Sequence, residues 1–392
     1  MISNTFLSVS DFKNILRSLI HDFFSKKHIR DEILEDEKEL WNIPLGDFSN
    51  HFDIWHEITG IFSNMFSVPY SKLDAGTCPA EIVRDVYYRW SLQDNEARSI
   101  KFYTSGSTGT PKICCHTESE IRQEIYELLP HILKPSQILV TVPFHHLYGF
   151  TFGIAVPRFL SIPSFSLLPL PTVLRNTVTK YDTLVSIPFI LEKLVKCYKE
   201  EKFTCMQVIT GTMPLDPKVG DFLQSTKIAC LEIYGSSETG VIGIRKSTSE
   251  PFTLQSYFSY KCEDNILLRC LNSGKEKEYP LMDNLQWLDT RHFFILGRSD
   301  RAVQVGGINV YPERVEEYLN KHPYIAKCTV RLSQKDFRLK AFIVLQNGNV
   351  TQQIRKEIRE YVKNGLSPAE QPVVFDFGED LPRNDLGKIV DW

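Results

Sequence analysis

Residues 103–112 have the composition of a phosphate-binding loop. They read Tyr-Thr-Ser-Gly-Ser-Thr-Gly-Thr-Pro-Lys, so hydroxyl side chains, two glycines and a lysine lie close together. Glycine lets the backbone turn tightly beside an anion, successive N–H groups line a polyphosphate, and lysine supplies a compact positive charge. The spacing differs from the P-loop, in which Lys-Ser/Thr follows the second glycine directly. For this segment alone, a solvated Ser/Gly turn is the alternative interpretation.

A second polar segment follows an apolar run at residues 228–233. It reads Tyr-Gly-Ser-Ser-Glu-Thr-Gly over residues 234–240. A carboxylate among hydroxyls suits Mg²⁺, which takes one or two carboxylates together with substrate phosphates. A turn with a solvated Glu238 is the alternative when the segment is considered alone.

Two further polar segments also follow predicted strands. Residues 210–215 read Thr-Gly-Thr-Met-Pro-Leu, and residues 143–149 read Pro-Phe-His-His-Leu-Tyr-Gly. Ligands of open parallel sheets bind beyond the carboxyl ends of the strands, where these segments are expected. For the adjacent His145 and His146, the alternative is one buried, hydrogen-bonded ring and one solvated ring.

The apolar pattern predicts a large α/β domain. Strands are predicted at residues 99–102 and 113–116, on either side of the loop, and Thr117-Glu-Ser-Glu is a capping box for the next helix. Further strands at residues 138–142, 183–187, 206–210 and 228–233 alternate with helices. That alternation predicts a mostly parallel sheet with right-handed crossovers.

The two ends of the chain differ from this pattern. Residues 1–98 are mainly helical, beginning with an amphipathic helix that we expect to bury Phe12, Ile15, Leu16, Leu19, Ile20 and Phe23. After short strands at 252–296, a small α+β unit is predicted. It has a strand at 303–310, a helix from Pro312, strands at 326–331 and 341–345, a helix at 352–363 and a strand at 373–377. We therefore predict a large domain at residues 1–297 and a small, mobile domain at residues 298–392.

Composition restricts the function classes. The net charge of −3 argues against a general nucleic-acid-binding protein. Nine cysteines without a CxxC pair fit a reducing, cytoplasmic setting and give no zinc-ligand spacing. We expect neither a signal peptide nor a bilayer-spanning segment.

The four segments, in their order along the chain, resemble motifs of the adenylate-forming superfamily, which includes acyl- and aryl-CoA ligases, adenylation domains and luciferases. Residues 296–301 (Leu-Gly-Arg-Ser-Asp-Arg), 306–312 (Gly-Gly-Ile-Asn-Val-Tyr-Pro) and 381–389 (Leu-Pro-Arg-Asn-Asp-Leu-Gly-Lys-Ile) extend the likeness. The chain is shorter than usual and resembles compact coumarate–CoA-ligase-like enzymes, so we expect an ATP-dependent acid–thiol ligase.

The resemblance implies roles for the residues of the large domain. Tyr234 would stack on adenine, the adjacent Gly235 would belong to the nucleotide site, Ser237 would meet the α-phosphate, and Glu238 would hold Mg²⁺. Gly211 would border the adenine and acyl pockets, and His146 would form a wall of the carboxylate pocket. The ATP phosphates would be held by Thr104, Ser105, Gly106, Ser107, Thr108, Gly109 and Lys112.

It also implies roles near the carboxyl end. Lys388 would be the adenylation lysine, Arg298 would contact ribose, and Asp300 would be the hinge. The paired glycines Gly306 and Gly307 would form the thiolation loop. The ribose-binding aspartate normally lies in Thr-Gly-Asp, fourteen positions before the hinge glycine; Asp283 has this spacing but follows Leu-Met, so Asp289 is the alternative.

The expected reaction forms an acyl-adenylate from a carboxylic acid and Mg·ATP, then transfers the acyl group to coenzyme A, releasing AMP and pyrophosphate. An aryl acid is favoured, and fatty or short acids stay open. An acyl carrier protein as acceptor and a non-catalytic nucleotide-binding homologue are the alternatives. A kinase is disfavoured because the chain has no Walker or kinase loop.

Overall fold

The computed structural model describes residues 5–27, 41–45, 52–69, 73–94, 97–104, 112–198, 203–262, 264–298, 302–333, 335–382 and 392. The chain divides into two compact units. The first comprises Met1–Thr104, Ile113–Leu281 and Trp287–Phe294, and the second comprises Ser105–Lys112, Met282–Gln286 and Ile295–Trp392.

Helices cover the amino-terminal region and alternate with strands thereafter. In chain order they are α1 Val9–Lys26, α2 Phe52–Met65, α3 Pro79–Ser91, α4 Glu118–Leu128, α5 Leu147–Phe150, α6 Val156–Leu160, α7 Pro171–Thr177, α8 Pro188–Cys197, α9 Pro217–Ser225, α10 Pro312–Leu319 and α11 Gln352–Gly365. A 3₁₀ turn at Leu129–His131 follows α4, and a π-helical turn at Thr151–Ala155 joins α5 to α6.

The strands are short. They are β1 Ser99–Thr104, β2 Lys112–Thr117, β3 Ile138–Val140, β4 Ser164–Ser166, β5 Thr183–Ser186, β6 Gln207–Gly211, β7 Ala229–Ser236, β8 Gly240–Arg245, β9 Phe252–Leu254, β10 Phe258–Lys261, β11 Ile266–Cys270, β12 Glu276–Pro280, β13 Asp283–Trp287, β14 His292–Arg298, β15 Val303–Val305, β16 Ile308–Val310, β17 Ile325–Leu332, β18 Leu339–Leu345 and β19 Val374–Gly378.

Among the described residues the largest sheet has nine strands, in the order β13-β14-β9-β8-β7-β6-β5-β3-β4. The pairs from β4 to β7 are parallel, whereas β7-β8, β8-β9 and β9-β14 are antiparallel. The parallel strands lie where the sequence alternates between strands and helices. The prediction of a mostly parallel α/β sheet is therefore confirmed for this half of the sheet, and polar segments follow the carboxyl ends of its strands.

Both faces of the parallel strands are buried. Successive side chains of a strand point to opposite faces, so Leu184 packs in one core with helices α7–α9, whereas Val185 packs in a second core with helices α1–α3. Strands β3, β5 and β6 are buried along their whole length. Burial on both faces explains their nearly continuous apolar sequence.

The amphipathic pattern at the amino terminus forms helix α1. Ser8 caps it, accepting a hydrogen bond from the N–H of Asp11, whose carboxylate accepts from the Ser8 N–H in return. Five of the six predicted core positions are buried. The sixth, Phe23, is partly buried and packs against the same core, and Phe24 is fully buried beside it. Within the described ranges, no helix combines the length and apolarity that crossing a bilayer requires.

The second unit contains a small α+β fold. Strand β18 pairs antiparallel with β17 and parallel with β19, and helices α10 and α11 bury Val315, Leu319, Ile358 and Val362 against this sheet. The predicted single strand at 303–310 was wrong. It is a hairpin of β15 and β16, because Gly306 and Gly307 adopt φ angles of +60° and +83° and turn the chain back.

Candidate active site

The carboxyl ends of β5 and β6 are joined by a tyrosine from residues 143–149. The hydroxyl of Tyr148 donates to the carbonyl oxygens of Ser186 (3.2 Å) and Ile209 (3.0 Å). Just beyond β3, the Thr141 hydroxyl donates to the Ser186 hydroxyl at 2.8 Å. The His-His-Leu-Tyr-Gly segment is therefore fixed against the strand ends, where parallel sheets bind ligands.

Gly211 ends β6 where no side chain fits. A Cβ atom there would lie 2.9 Å from the carbonyl oxygen of Ile233 and 3.6 Å from the Tyr148 ring. The next residue, Thr212, is exposed and adopts φ +73°, a left-handed conformation that costs a β-branched residue of order 1–3 kcal/mol. No sequence pattern indicates this strained position, because threonine is otherwise common at strand ends.

Tyr234 lies at the end of β7, half-buried beside two phenylalanines. Its ring centroid is 5.8 Å from that of Phe252 and 5.6 Å from that of Phe293, both at steep interplanar angles. These edge contacts fix the ring while part of it stays accessible. Stacking on adenine stays a prediction for this residue.

A tight turn joins β7 to β8 and carries the predicted magnesium ligand. The Ser236 hydroxyl accepts from the N–H groups of Glu238 and Thr239, both at 3.2 Å, and the Ser236 N–H donates to the Thr239 hydroxyl at 3.1 Å. The Glu238 side chain is exposed, and no described residue forms an ion pair with it. The turn therefore presents an accessible carboxylate on an ordered backbone.

Three buried ionisable side chains contact this turn from the protein interior. His116 Nε2 lies 2.7 Å from the Ser237 carbonyl oxygen, Arg269 Nη1 donates to the Thr239 carbonyl oxygen at 3.1 Å, and Glu124 Oε2 accepts from the Val241 N–H at 2.9 Å. They are 2%, 0% and 5% exposed. Sequence reasoning missed all three. The available signal was charged or polar residues at inward positions of β2, α4 and β11.

Gly235 permits the close pairing of β7 and β8. A Cβ atom there would lie 2.1 Å from the carbonyl oxygen of Gly240, which belongs to the backbone and cannot move aside cheaply. We expect Gly235→Ala to lower the free energy of unfolding by about 3 kcal/mol, the upper range for overpacking. Urea denaturation measures this loss. Gly60→Ala is the control, since helix α2 leaves open space there and alanine favours helix; equal stability of the two variants would contradict the expectation.

The adjacent histidines occupy different environments. His145 is buried, and its Nδ1 lies 2.9 Å from the hydroxyl of Ser18, which also accepts from the Phe144 N–H. Desolvation, reinforced by the neighbouring His146, holds the pKa of His145 well below its ordinary value. The His146 side chain is exposed at its surface, and partial desolvation by the neighbouring protein lowers its pKa as well. His146 is thus the more accessible ring, and its role in the carboxylate pocket stays a prediction.

Burial of neutral histidines makes stability depend on pH. Desolvation lowers the pKa of both His116 and His145 in the folded protein, so below about pH 6.5 the unfolded chain binds protons that the folded chain does not. Stability then falls as pH falls, by about 1.4 kcal/mol per pH unit for each histidine. Urea denaturation between pH 7.5 and 5.0 measures the slope. His145→Asn should reduce this slope by the contribution of one histidine, about 1.4 kcal/mol per pH unit. An unchanged slope would contradict the lowered pKa of His145.

Two aspartates are the described candidates for the ribose ligand, Asp283 in the second unit and Asp289 in the first. Asp283 begins β13 and is half-buried. The alternative, Asp289, is exposed, and its carboxylate already accepts from the N–H groups of Arg291 (2.7 Å) and His292 (2.8 Å). Those backbone hydrogen bonds, first of all that from Arg291, lower the pKa of Asp289. Asp289 thus stabilises its own turn, and Asp283 as the ribose ligand stays a prediction, with Asp289 as its alternative.

The structure describes only some of the predicted residues of the phosphate loop and the carboxyl-terminal region. Among those described, Lys112 is the exposed first residue of β2, and Gly306 and Gly307 form the turn of the β15–β16 hairpin. Outside the described residues, or with undescribed side chains, are Thr104, Ser105, Gly106, Ser107, Thr108, Gly109, Arg298, Asp300 and Lys388.

Comparison with known proteins identifies the family. Residues 90–257 match the family described as AMP-binding enzyme, and residues 314–388 match its C-terminal domain. A 4-coumarate–CoA ligase of Halorhodospira halophila is 32% identical over 295 residues, covering 74% of each chain. The chain belongs to the AMP-binding enzyme family. A 4-coumarate–CoA ligase of Rhodobacter capsulatus is 30% identical over 305 residues, covering 76% of each chain.

These relatives confirm the prediction of an AMP-forming ligase of the adenylate-forming superfamily, of the acyl- or aryl-CoA ligase type. ATP, Mg²⁺ and coenzyme A are the substrates and metal expected of that type.

Solved structures agree on the fold. An o-succinylbenzoate CoA synthetase of Bacillus subtilis, solved with a product analogue, has a TM-score of 0.59 at 16% identity, covering 77% of this chain and 72% of its own. An amide bond synthetase of Marinactinospora thermotolerans has a TM-score of 0.59 at 15% identity, covering 85% of this chain and 77% of its own. The mixed α/β fold predicted from the sequence is therefore confirmed.

Proposed function

We propose that this enzyme activates a carboxylic acid with ATP and transfers the acyl group to coenzyme A. The observation that carries the proposal is the turn at residues 236–240. It holds the exposed Glu238 at the carboxyl end of β7, beside the strand ends that Tyr148 joins. A carboxylate acceptor, an accessible aromatic ring at Tyr234 and strand-end hydroxyls are the groups that a nucleotide with a bound metal requires.

The residues present fit a magnesium ion brought in with ATP. Glu238 offers hard oxygen donors, and its carboxylate forms no ion pair among the described residues. No group of three or more His, Cys, Asp or Glu residues within the described ranges could hold a metal. One carboxylate plus substrate phosphates needs no such group. When bound, the metal would neutralise charge on the phosphates.

The proposed adenylation step uses residues of both predicted domains. The acid's carboxylate oxygen attacks the α-phosphorus of ATP, a bond to the α-phosphate forms, and pyrophosphate leaves with its electron pair. Residues 104–112 hold the leaving phosphates, and Ser237 meets the α-phosphate. The Lys388 ammonium compensates the charge that develops between carboxylate and phosphate, an electrostatic contribution of about 3–4 kcal/mol.

The second step, thioester formation, uses the same site with a different set of residues from the small domain. We propose that residues 298–392 form a mobile domain that turns about Asp300, withdrawing Lys388 and bringing in the Gly306-Gly307 hairpin. A thiolate then attacks the acyl carbon, and AMP leaves. Such hinge motions allow one site to perform two steps.

An aryl acid is the favoured substrate class, because the 4-coumarate–CoA ligases cover about three quarters of the chain at 30% identity or more. Coenzyme A is the favoured thiol for the same reason, with an acyl carrier protein as the alternative acceptor. We assign the reaction to the cytoplasm from the sequence, since nine cysteines without a CxxC pair suit a reducing compartment.

The test is carboxylate-dependent pyrophosphate release from Mg·ATP. We would supply aryl, short-chain and long-chain acids, each with and without coenzyme A. We expect release with an aryl acid, and AMP formation that coenzyme A accelerates. If an acyl carrier protein rather than coenzyme A accelerates AMP formation, the carrier protein is the acyl acceptor. No release with any acid, together with unimpaired binding of ATP, would favour the non-catalytic homologue.

A further inference from the structure

Buried side chains hydrogen-bond to the inner side of the turn that carries Glu238. Three alternating residues, 237, 239 and 241, each bond through the backbone to a buried ionisable side chain. The carbonyl oxygens of Ser237 and Thr239 and the N–H of Val241 point inward. We call His116, Glu124 and Arg269 the buried support.

The buried support originates largely in the segment that follows the phosphate loop. His116 lies on β2 and Glu124 on α4, and Arg269 on β11 donates to the Glu120 carbonyl oxygen (2.7 Å) and the Gln123 side chain (3.2 Å), both on α4. One continuous stretch, residues 112–128, therefore runs from the loop lysine to the residues beneath the turn. The position of the turn is thus set relative to the strand that leaves the phosphate loop.

The chemistry of each contact is specific. A carbonyl oxygen only accepts hydrogen bonds, so His116 must carry its proton on Nε2 to bond Ser237. Glu124 approaches so closely that a Cβ atom at position 240 would lie 2.0 Å from its Oε2, and Gly240 has φ +74°. A buried carbonyl that loses its donor is left without a partner, which favours rearrangement of the turn.

We propose that His116 is a positioning residue, which acts through the Ser237 carbonyl to hold the Glu238 carboxylate where a divalent cation bound to nucleotide needs it. The inference rests on the proposed role of Glu238. It assigns to His116 no contact with substrate.

The experiment uses the full chain and measures binding of a non-hydrolysable ATP analogue by calorimetry, with and without Mg²⁺. His116→Phe removes the donor and keeps a ring beside Phe102, whose centroid lies 6.0 Å from that of His116. His116→Gln places an amide donor near the original Nε2. We expect His116→Phe to raise the Mg²⁺ concentration for half-maximal binding at least ten-fold, with metal-free affinity unchanged, and His116→Gln to stay within about three-fold of the native protein.

Glu118→Gln is the matched control. Glu118 lies two residues after His116, at the start of α4, and is 4% exposed; it pairs with Arg98 at 2.9 Å and Arg122 at 2.7 Å and forms no hydrogen bond with the turn. We expect it to lower stability without changing the Mg²⁺ requirement. If His116→Phe does not fold, His116→Asn, whose shorter amide falls short of Ser237, carries the same expectation.

The outcomes separate this inference from the proposed reaction. An unchanged Mg²⁺ requirement in His116→Phe, equal loss in His116→Gln, or equal loss in Glu118→Gln would overturn the positioning role. Native protein that binds the analogue without any Mg²⁺ dependence would overturn it as well. Native protein with Mg²⁺-dependent binding and the expected variant pattern, but without pyrophosphate release for any acid, would support the positioning role and contradict the proposed reaction.

Discussion

Replacing Lys388 with alanine is expected to reduce the rate of acid-dependent pyrophosphate release about 10²- to 10³-fold. The ammonium would compensate charge that is larger in the transition state than in bound ATP and acid, so its removal lowers the rate constant more than it weakens binding. Thioester formation from supplied acyl-adenylate and coenzyme A should persist, because the proposed domain rotation would withdraw this lysine before the second step. Single-turnover assays of each half-reaction measure the two effects separately.

Two variants control for that result. Lys388→Arg keeps the charge with different geometry and should recover part of the adenylation rate. Lys356→Ala removes an exposed lysine from α11, 71% accessible, and should leave both half-reactions unchanged. Equal loss of both half-reactions in Lys388→Ala would contradict the proposed exchange of residues at one site.

The contacts of Trp392, the described residue that follows Lys388 in the chain, give a reason to expect that the variant folds. Lys388 lies between Pro382 and Trp392, both described. Trp392 Nε1 donates to Asp376 Oδ2 at 2.9 Å, and its ring lies 5.6 Å from that of Phe342. These contacts with β18 and β19 do not involve the lysine side chain, so its truncation leaves them in place.

Local patterns predicted much of the fold because they are decided by nearby residues. The apolar runs of β5 and β6 and the capping box at Thr117 are complete within a few positions. The Gly306-Gly307 hairpin was missed, although the pair allows φ > 0 at both turn positions, because the apolar residues on either side suggested one strand. The same residues are compatible with a single strand and with a hairpin, and only the pairing of Val303 with Val310 distinguishes the two structures.

Residues that act across the chain were out of reach of such patterns. His116 and Ser237 are separated by 121 positions, and Arg269 and Glu120 by 149. Considered alone, a histidine on an apolar strand predicts a buried ring but not its partner. Motif resemblance predicts Glu238 as the magnesium ligand because it lies within a segment that matches a motif, whereas its buried support has no motif of its own.

Replacing Glu238 with glutamine is expected to lower pyrophosphate release about 10²-fold at limiting Mg²⁺. Loss of the carboxylate charge removes a ligand worth several kcal/mol to a divalent cation, while the amide fits the same exposed position. The turn's own hydrogen bonds use the backbone of residue 238, not its side chain, so the folded structure should persist. Raising the Mg²⁺ concentration should restore part of the rate.

The dependence on Mg²⁺ distinguishes this variant from Lys388→Ala, whose deficit should be the same at every metal concentration. Glu278→Gln is the control: its exposed carboxylate on β12 lies 3.5 Å from Lys261, outside the candidate site, and its loss should not alter the metal requirement. Steady-state rates across a Mg²⁺ titration measure all three variants. A deficit in Glu238→Gln that no Mg²⁺ concentration reduces would mean that the carboxylate acts on the substrate directly. The buried support would then position a group that contacts nucleotide or acid, since the backbone bonds beneath the turn are the same in either case.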